Sequence, residues 1–120
     1  MKAVGAVYED AALAELTRRG LALVARNWRC RHGEIDLVMR ERQGAVVFVE
    51  VRFRSDGAHG DGVESVASAK RGRLVKTARE FLAAHPALAR APCRFDIAAF
   101  SGGPDNPAFE WQQNAFDAGS

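Results

Sequence analysis

Between residues 4 and 19 apolar positions recur at helical spacing, with Val7, Ala11, Ala14 and Arg18 along one side and Leu13 and Leu16 beside them. Gly20 supplies a residue suited to a left-handed C-cap, so the spacing predicts an amphipathic helix ending there. From residue 21 the pattern shortens to that of strands: LALVARNWR (21–29), GEIDLVMR (33–40) and, after the turn ERQG, AVVFVEVRF (45–53). The stretch SDGAHGDG (55–62) carries three glycines and no large apolar residue, and reads as a loop. A long helix is predicted over 63–85, with Val63, Val66, Ala67, Leu74, Ala78, Phe81 and Leu82 facing inward and Pro86 ending it. CRFDIAAF (93–100) is a fourth strand, SGGPDNP a loop, and AFEWQQNAF (108–116) a short strand or helix docked through Phe109, Trp111 and Phe116. The order α, β, β, β, α, β implies an α/β domain, a mixed sheet with helices packed on it.

One residue breaks the apolar pattern. VVFVEVRFR (46–54) has the composition of a strand buried on both faces, yet Glu50 stands in its middle. An isolated carboxylate in a strand core costs several kcal/mol unless a cation, a donor network or a metal compensates it. In the preceding strand, period 2 groups Glu34, Asp36 and Val38 on one face and Ile35, Leu37 and Met39 on the other. In the third strand it groups Val46, Phe48, Glu50 and Arg52 against Val47, Val49, Val51 and Phe53. A three-residue loop, Arg42-Gln43-Gly44 with Gly44 left-handed, pairs Glu41 with Ala45. Continuing that register sets Asp36 opposite Glu50 and Glu34 opposite Arg52. Like charges directly opposed, with Cβ atoms about 4.5–5.5 Å apart, destabilise a hairpin. A divalent cation between Asp36 and Glu50 removes the conflict, since Mg²⁺ takes one or two carboxylates and completes its octahedron with water and phosphate. An ion-pair cluster of Glu34, Asp36, Glu50 and Arg52 satisfies the same pattern without a metal.

The chain of 120 residues suits a single domain, 1–120, and its 48% hydrophobic and 27% charged residues are those of an ordinary soluble protein. No apolar stretch is long enough to span a bilayer, and MKAVGAVYEDAALAEL places acids where a signal peptide has its apolar segment, so a cytoplasmic protein with no membrane partner is expected. Cys30 and Cys93 form no CxxC pair and are expected to be free thiols; the scattered His32, His59 and His85 argue against a structural zinc site. The net charge of +2 says little, but its distribution says more. Arg18, Arg19, Arg26, Arg29 and Arg31 form one basic cluster and Lys70, Arg71, Arg73, Lys76 and Arg79 another. Trp28 fits a core position better than a base-stacking one, and Asp96 fits a strand-end or helix-contacting acid outside the site.

GAVYEDAA (5–12), ARNWRCR (25–31), GEIDLV (33–38), VVFVEVRFR (46–54), AKRGRL (69–74), CRFDIA (93–98) and WQQNAF (111–116), in this order, resemble the YraN family of small bacterial proteins. That family resembles the PD-(D/E)XK nucleases, particularly the archaeal Holliday junction resolvases and the tRNA endonuclease-like fold. The resemblance implies a restriction-endonuclease-like three-layer domain, a mixed sheet flanked by helices, with a metal-dependent phosphodiesterase site on one hairpin. It makes Asp36 and Glu50 the metal ligands, for Mg²⁺ or Mn²⁺, and Glu9 a supporting acid on the first helix. Arg52 stands where the motif has lysine; a guanidinium can stabilise phosphate charge but cannot act as a general base. Arg29 and Arg31 before the hairpin, and Lys70, Arg73 and Lys76 after the glycine-rich loop, become candidate phosphate contacts. The resulting expectation is a nucleic-acid-binding protein, DNA more than RNA, acting as a Mg²⁺-dependent endonuclease on branched or structured DNA and, by analogy with resolvases, as a homodimer. A non-catalytic DNA- or RNA-binding module and a protein-interaction domain with structural carboxylates are the alternatives.

Overall fold

The two most continuously apolar strands of the chain, Val46–Arg54 (β3) and Cys93–Ser101 (β4), lie side by side and parallel inside a five-stranded sheet. Parallel strands in mid-sheet are covered on both faces, which is why they lack a polar side. The computed structural model describes residues 4–54, 68–102 and 108–116. Its elements are α1 (Val4–Arg18), β1 (Ala22–Cys30), β2 (Gly33–Arg40), β3, α2 (Ser68–Ala84), a 3₁₀ turn Pro86–Leu88, β4 and β5 (Ala108–Phe116). The sheet order is β1-β2-β3-β4-β5, antiparallel except at β3–β4. The connection between those two strands contains α2.

Helices α1 and α2 cover opposite faces of the sheet. Ala12 and Leu16 of α1 pack with Leu37, Met39, Val47, Val49, Ala98 and Phe100. Leu74, Val75, Ala78 and Phe81 of α2 pack with Ile35, Val38, Val46, Phe48, Phe95 and Ile97. This is the three-layer arrangement expected from the sequence. The predicted residues 63–67 of the second helix, and the loop with His59, lie outside the described residues.

Three expectations are corrected. The buried stripe of α1 is Tyr8, Ala12 and Leu16, not the side bearing Val7, Ala11, Ala14 and Arg18; Val7 is 49% exposed and the Arg18 guanidinium pairs with Glu15 at the surface. Alanines occur on every side of this helix, so apolar spacing leaves its rotation ambiguous, and the C-terminus decides it. Gly20, at φ +109°, lets the Leu21 N–H reach the Leu16 carbonyl (3.0 Å) and the Gly20 N–H reach that of Thr17 (3.0 Å), a Schellman closure whose hydrophobic contact draws Leu16 inward. In β2, Ile35 does not share a face with Leu37 and Met39; it joins Val38 in the core under α2. Asp96 is not at a strand end. It lies in mid-β4, 1% exposed, accepting hydrogen bonds from Arg94 Nε (3.0 Å), Trp111 Nε1 (2.8 Å) and the Asn114 N–H (2.9 Å). The tail is a strand held by Asp96 and by ring contacts, Phe116 stacked on Phe95 and Phe109 tilted on Phe100. Trp28 meets Phe81 edge-on, in its expected packing role.

Candidate active site

Glu50 is 8% exposed in the central strand, and its compensation comes from cationic side chains on two elements. Lys70, in the first turn of α2, forms an ion pair with Glu50 Oε2, and Arg52 Nε stands 3.9 Å from the same oxygen. A helix that follows β3 and returns over the sheet necessarily brings its early residues near that strand, so Lys70 reaches a carboxylate twenty positions back.

The β2–β3 hairpin forms in the expected register. The Glu41 N–H donates to the Ala45 carbonyl (2.8 Å), Gly44 is left-handed at φ +109°, and the ladder runs from Arg40↔Val46 to Leu37↔Val49. Beyond Leu37 the backbone pairing gives way, so the expected direct pairs Asp36–Glu50 and Glu34–Arg52 are not rungs of the ladder. Asp36 instead accepts the Val51 N–H through Oδ2 (2.8 Å), a side chain substituting for a strand carbonyl. Glu34 lies across β1 from Arg29 and accepts its Nε (3.0 Å).

Asp36 and Glu50 nevertheless meet in one cavity of about 370 Å³, lined also by Gly33, Glu34, Val51, Lys70, Arg73, Leu74 and Thr77. Burial, first, and then the negative charge of Glu50 push the Asp36 carboxyl up to about 7; Glu9 and Glu34 add to this and the Val51 N–H opposes it. Burial and a neighbouring carboxylate both disfavour the ionised form of Asp36. Glu9 reaches this field from α1, where its carboxylate accepts Asn27 Nδ2 (3.0 Å) and lies 3.5 Å from the Arg26 guanidinium. Of the expected phosphate contacts, Lys70 and Arg73 line the cavity. Arg29 touches it through Glu34, while Arg31 and Lys76 are exposed and outside its lining.

The sequence reading overlooked Thr77 and Gly33. Thr77 is fully buried and donates to the Arg73 carbonyl (2.8 Å). Gly33 has φ +150°, and a Cβ there would stand 3.3 Å from Thr77 Oγ1, so its lack of a side chain lets β2 start close against α2. The spacing of Lys70, Arg73 and Thr77, three and then four apart, was the available sign of one helix face turned to the site.

Among the described residues no three His, Cys, Asp or Glu side chains converge as a metal cluster. The carboxylates that could hold a cation in the cavity are the pair Asp36 and Glu50. Two carboxylates with room for water and a phosphate suit Mg²⁺ or Mn²⁺ better than Zn²⁺, which prefers nitrogen or sulfur ligands. Among the described residues no helix is long and apolar enough to cross a membrane.

Fold and site together define a three-layer α/β domain with paired carboxylates in a cavity walled by cationic side chains. The chain belongs to Uncharacterised protein family UPF0102, whose family model matches residues 8–100. This bears out the YraN resemblance. It is 52% identical over 118 residues to a UPF0102 protein of Cupriavidus taiwanensis, covering 98% of this chain and 85% of that one. Against a UPF0102 protein of Xanthomonas campestris pv. campestris it is 53% identical over 112 residues, covering 93% and 89%. Among solved structures it is similar to a repair endonuclease from Pyrococcus abyssi (TM-score 0.43, 17% identity), covering 87% of this chain and 41% of that one. It is also similar to SfsA of Pyrococcus furiosus in complex with Ca²⁺ (TM-score 0.41, 14% identity), covering 91% and 62%. The chain thus spans less than two thirds of either structure's length.

Proposed function

We propose that this protein is a divalent-metal-dependent endonuclease acting on branched or otherwise structured DNA. The observation that carries the reading is the meeting of Asp36 and Glu50 in a cavity whose wall presents Lys70 and Arg73, with the Asp36 carboxyl held near neutrality. Glu50 is compensated by Lys70 and Arg52, whereas burial and the Glu50 charge both push the Asp36 carboxyl upward, the kind of perturbed carboxyl that clusters at functional sites. Asp36 and Glu50 would hold Mg²⁺ or Mn²⁺. The ion, when bound, supplies a more acidic water and neutralises charge on the scissile phosphate.

The chain's own groups do the rest. Arg73 binds phosphate oxygens at the cavity wall, and Arg52 beside Glu50 stabilises charge that builds on the transferring group without titrating. Lys70 neutralises Glu50 and, at the cavity wall, would also be within reach of a phosphate. Glu9, tied to Asn27, supports the ligand pair electrostatically. Arg29 and Arg31 on the β1–β2 side and Lys76 on α2 extend the phosphate track beyond the cavity. Two copies related by a two-fold axis would present two such sites to a branched substrate.

A second reading is favoured by the Lys70–Glu50 pair itself. A carboxylate already compensated by an ammonium suits a DNA- or RNA-binding module without catalysis. Calorimetry with Mg²⁺ and Mn²⁺, followed by a cleavage screen over single strands, duplexes, flaps and four-way junctions of DNA and RNA, decides between them. Metal binding together with cleavage that Asp36→Asn abolishes supports the endonuclease. Tight nucleic-acid binding with no cleavage of any substrate supports the module.

A further inference from the structure

Opposite Asp36, on the neighbouring strand, the backbone takes an unusual conformation. Asn27, in the middle of β1, has φ +52°, a left-handed conformation unusual inside a strand for any residue with a side chain. On either side of it the β1–β2 register holds Arg26↔Leu37 and Trp28↔Ile35, so Asn27 falls opposite Asp36. In a regular strand, residues 26 and 28 would share a face. Here they do not: the Arg26 guanidinium goes to α1, 2.6 Å from Asp10 Oδ1 and 3.3 Å from the Ala6 carbonyl, whereas Trp28 packs under α2. The partner strand reverses at the same level, Leu37 facing α1 and Ile35 facing α2. Both strands thus change face across the Asn27–Asp36 step. Asp36 leaves the ladder there and accepts the Val51 N–H.

A second instance stands at the other edge of the sheet. Asn114 of β5, φ +54°, sits where the β4–β5 register shifts, and its N–H donates to Asp96. There the acid is sealed by Arg94 and Trp111; at Asn27 the acid opens onto a cavity.

We propose that Asn27 is a positioning residue for the Asp36–Glu50 pair: its left-handed backbone sets the face reversal that delivers the Asp36 carboxylate to the cavity, and its amide anchors the bend to Glu9. The importance of that pair rests on the endonuclease reading, but the positioning can be tested without a metal. Asparagine is the side chain best suited to both tasks, since it tolerates the left-handed region and retains a donor. Glycine keeps the backbone without the anchor. Valine, β-branched, resists the conformation.

Hydrogen exchange at the Val51 amide reads the placement of Asp36 directly, with Asp36→Ala, which has no acceptor, as the unprotected reference. Asn27→Gly should keep Val51 protection within about threefold of the parent, while Asn27→Val should lose about tenfold or more and approach Asp36→Ala, the other β3 amides changing little. Should Asn27→Val fail to fold, Asn27→Ala, with a smaller left-handed cost, must give the same order. Undiminished Val51 protection in folded Asn27→Val overturns the proposal, and equal loss in Asn27→Gly overturns the backbone's part in it, leaving the placement to the amide anchor on Glu9. Mg²⁺ calorimetry on the same proteins separates the two ideas. Absence of Mg²⁺ binding in the parent refutes the metal reading while the Val51 order still decides Asn27. Binding in the parent that survives in Asn27→Val overturns the positioning role alone.

Discussion

Asp36→Asn removes one charge from the carboxylate pair while keeping an oxygen for the Val51 N–H, so its effect isolates the electrostatics of the site. Burial and Glu50 raise the Asp36 carboxyl from 3.8 to about 7. Between those values the folded protein binds more protons at this residue than the unfolded chain does. Stability therefore declines as pH rises through that window; the penalty is absent below about 4 and complete above about 7. A shift of about 3 units corresponds to about 4 kcal/mol, and solvent in the open cavity reduces this to about 2–4 kcal/mol. For a chain of this length 1 kcal/mol moves Tm by about 4 °C, so in EDTA at pH 8 Asp36→Asn should melt about 8–16 °C above the parent. At pH 4 the two should nearly coincide. Adding Mg²⁺ to about 100-fold above its Kd should raise the parent by about 2.7 kcal/mol, roughly 10 °C, and leave the variant unmoved. Thermal melts by circular dichroism over this pH range, with and without Mg²⁺, make the measurement. A difference between variant and parent that is independent of pH refutes the account of the carboxyl pair, and an equal Mg²⁺ response in both places the cation elsewhere.

Glu50→Gln removes the charge that helps hold the Asp36 proton, so the fall in stability between pH 4 and pH 7 should become shallower than in the parent; an unchanged slope would mean that Glu50 does not act on Asp36. Lys70→Ala with Arg73→Ala should weaken binding to every nucleic-acid sequence and flatten its salt dependence by up to about 0.9 for each phosphate no longer neutralised, measured by fluorescence anisotropy, with a smaller effect for Lys76→Ala, which lies outside the cavity lining. Gly33→Ala forces a side chain into φ +150° and against Thr77 Oγ1 at 3.3 Å, and should cost about 1–3 kcal/mol in a urea melt. Asp96→Ala strips the acceptor from Arg94, Trp111 Nε1 and the Asn114 N–H in the interior and should cost about 3–5 kcal/mol, where a surface acid would cost almost nothing.

Much of this was legible because it is local. The hairpin register followed from a loop whose chemistry admits few geometries: Gly44 takes the left-handed position, and the pairing then runs unaltered to Leu37↔Val49. The strand bounds of β2 followed from alternation, and the anomaly at Glu50 announced itself as a charge in an apolar run. What alternation could not reveal was its own interruption. Asn27 and Asp36 look like any polar residues of period-2 strands, and nothing local says that both strands change face there, so strict alternation puts Ile35 with Leu37 and Glu34 opposite Arg52. The rotation of α1 was equally hidden, since its alanines are compatible with several buried sides.

Legible in the residues alone were the element order through β4, with the last segment left as strand or helix, the three-layer class and family through resemblance, and the convergence of Asp36 and Glu50 as the chemical question of this protein. Element order and the carboxylate pair follow from short-range spacing and composition, which act within a turn or a hairpin; the three-layer form and the family follow from the resemblance of the ordered motifs to YraN proteins. Which cations answer the carboxylates depends on packing: Lys70 arrives because α2 folds back over β3, and Arg73 follows one turn later, whereas Arg31 and Lys76 from the same basic clusters stay outside. Packing also makes Asp96, whose sequence context fits a strand-end or helix-contacting acid outside the site, the interior anchor of the last strand. Contacts between residues far apart in the chain depend on how whole elements pack, and a side chain's charge does not encode where its helix will lie.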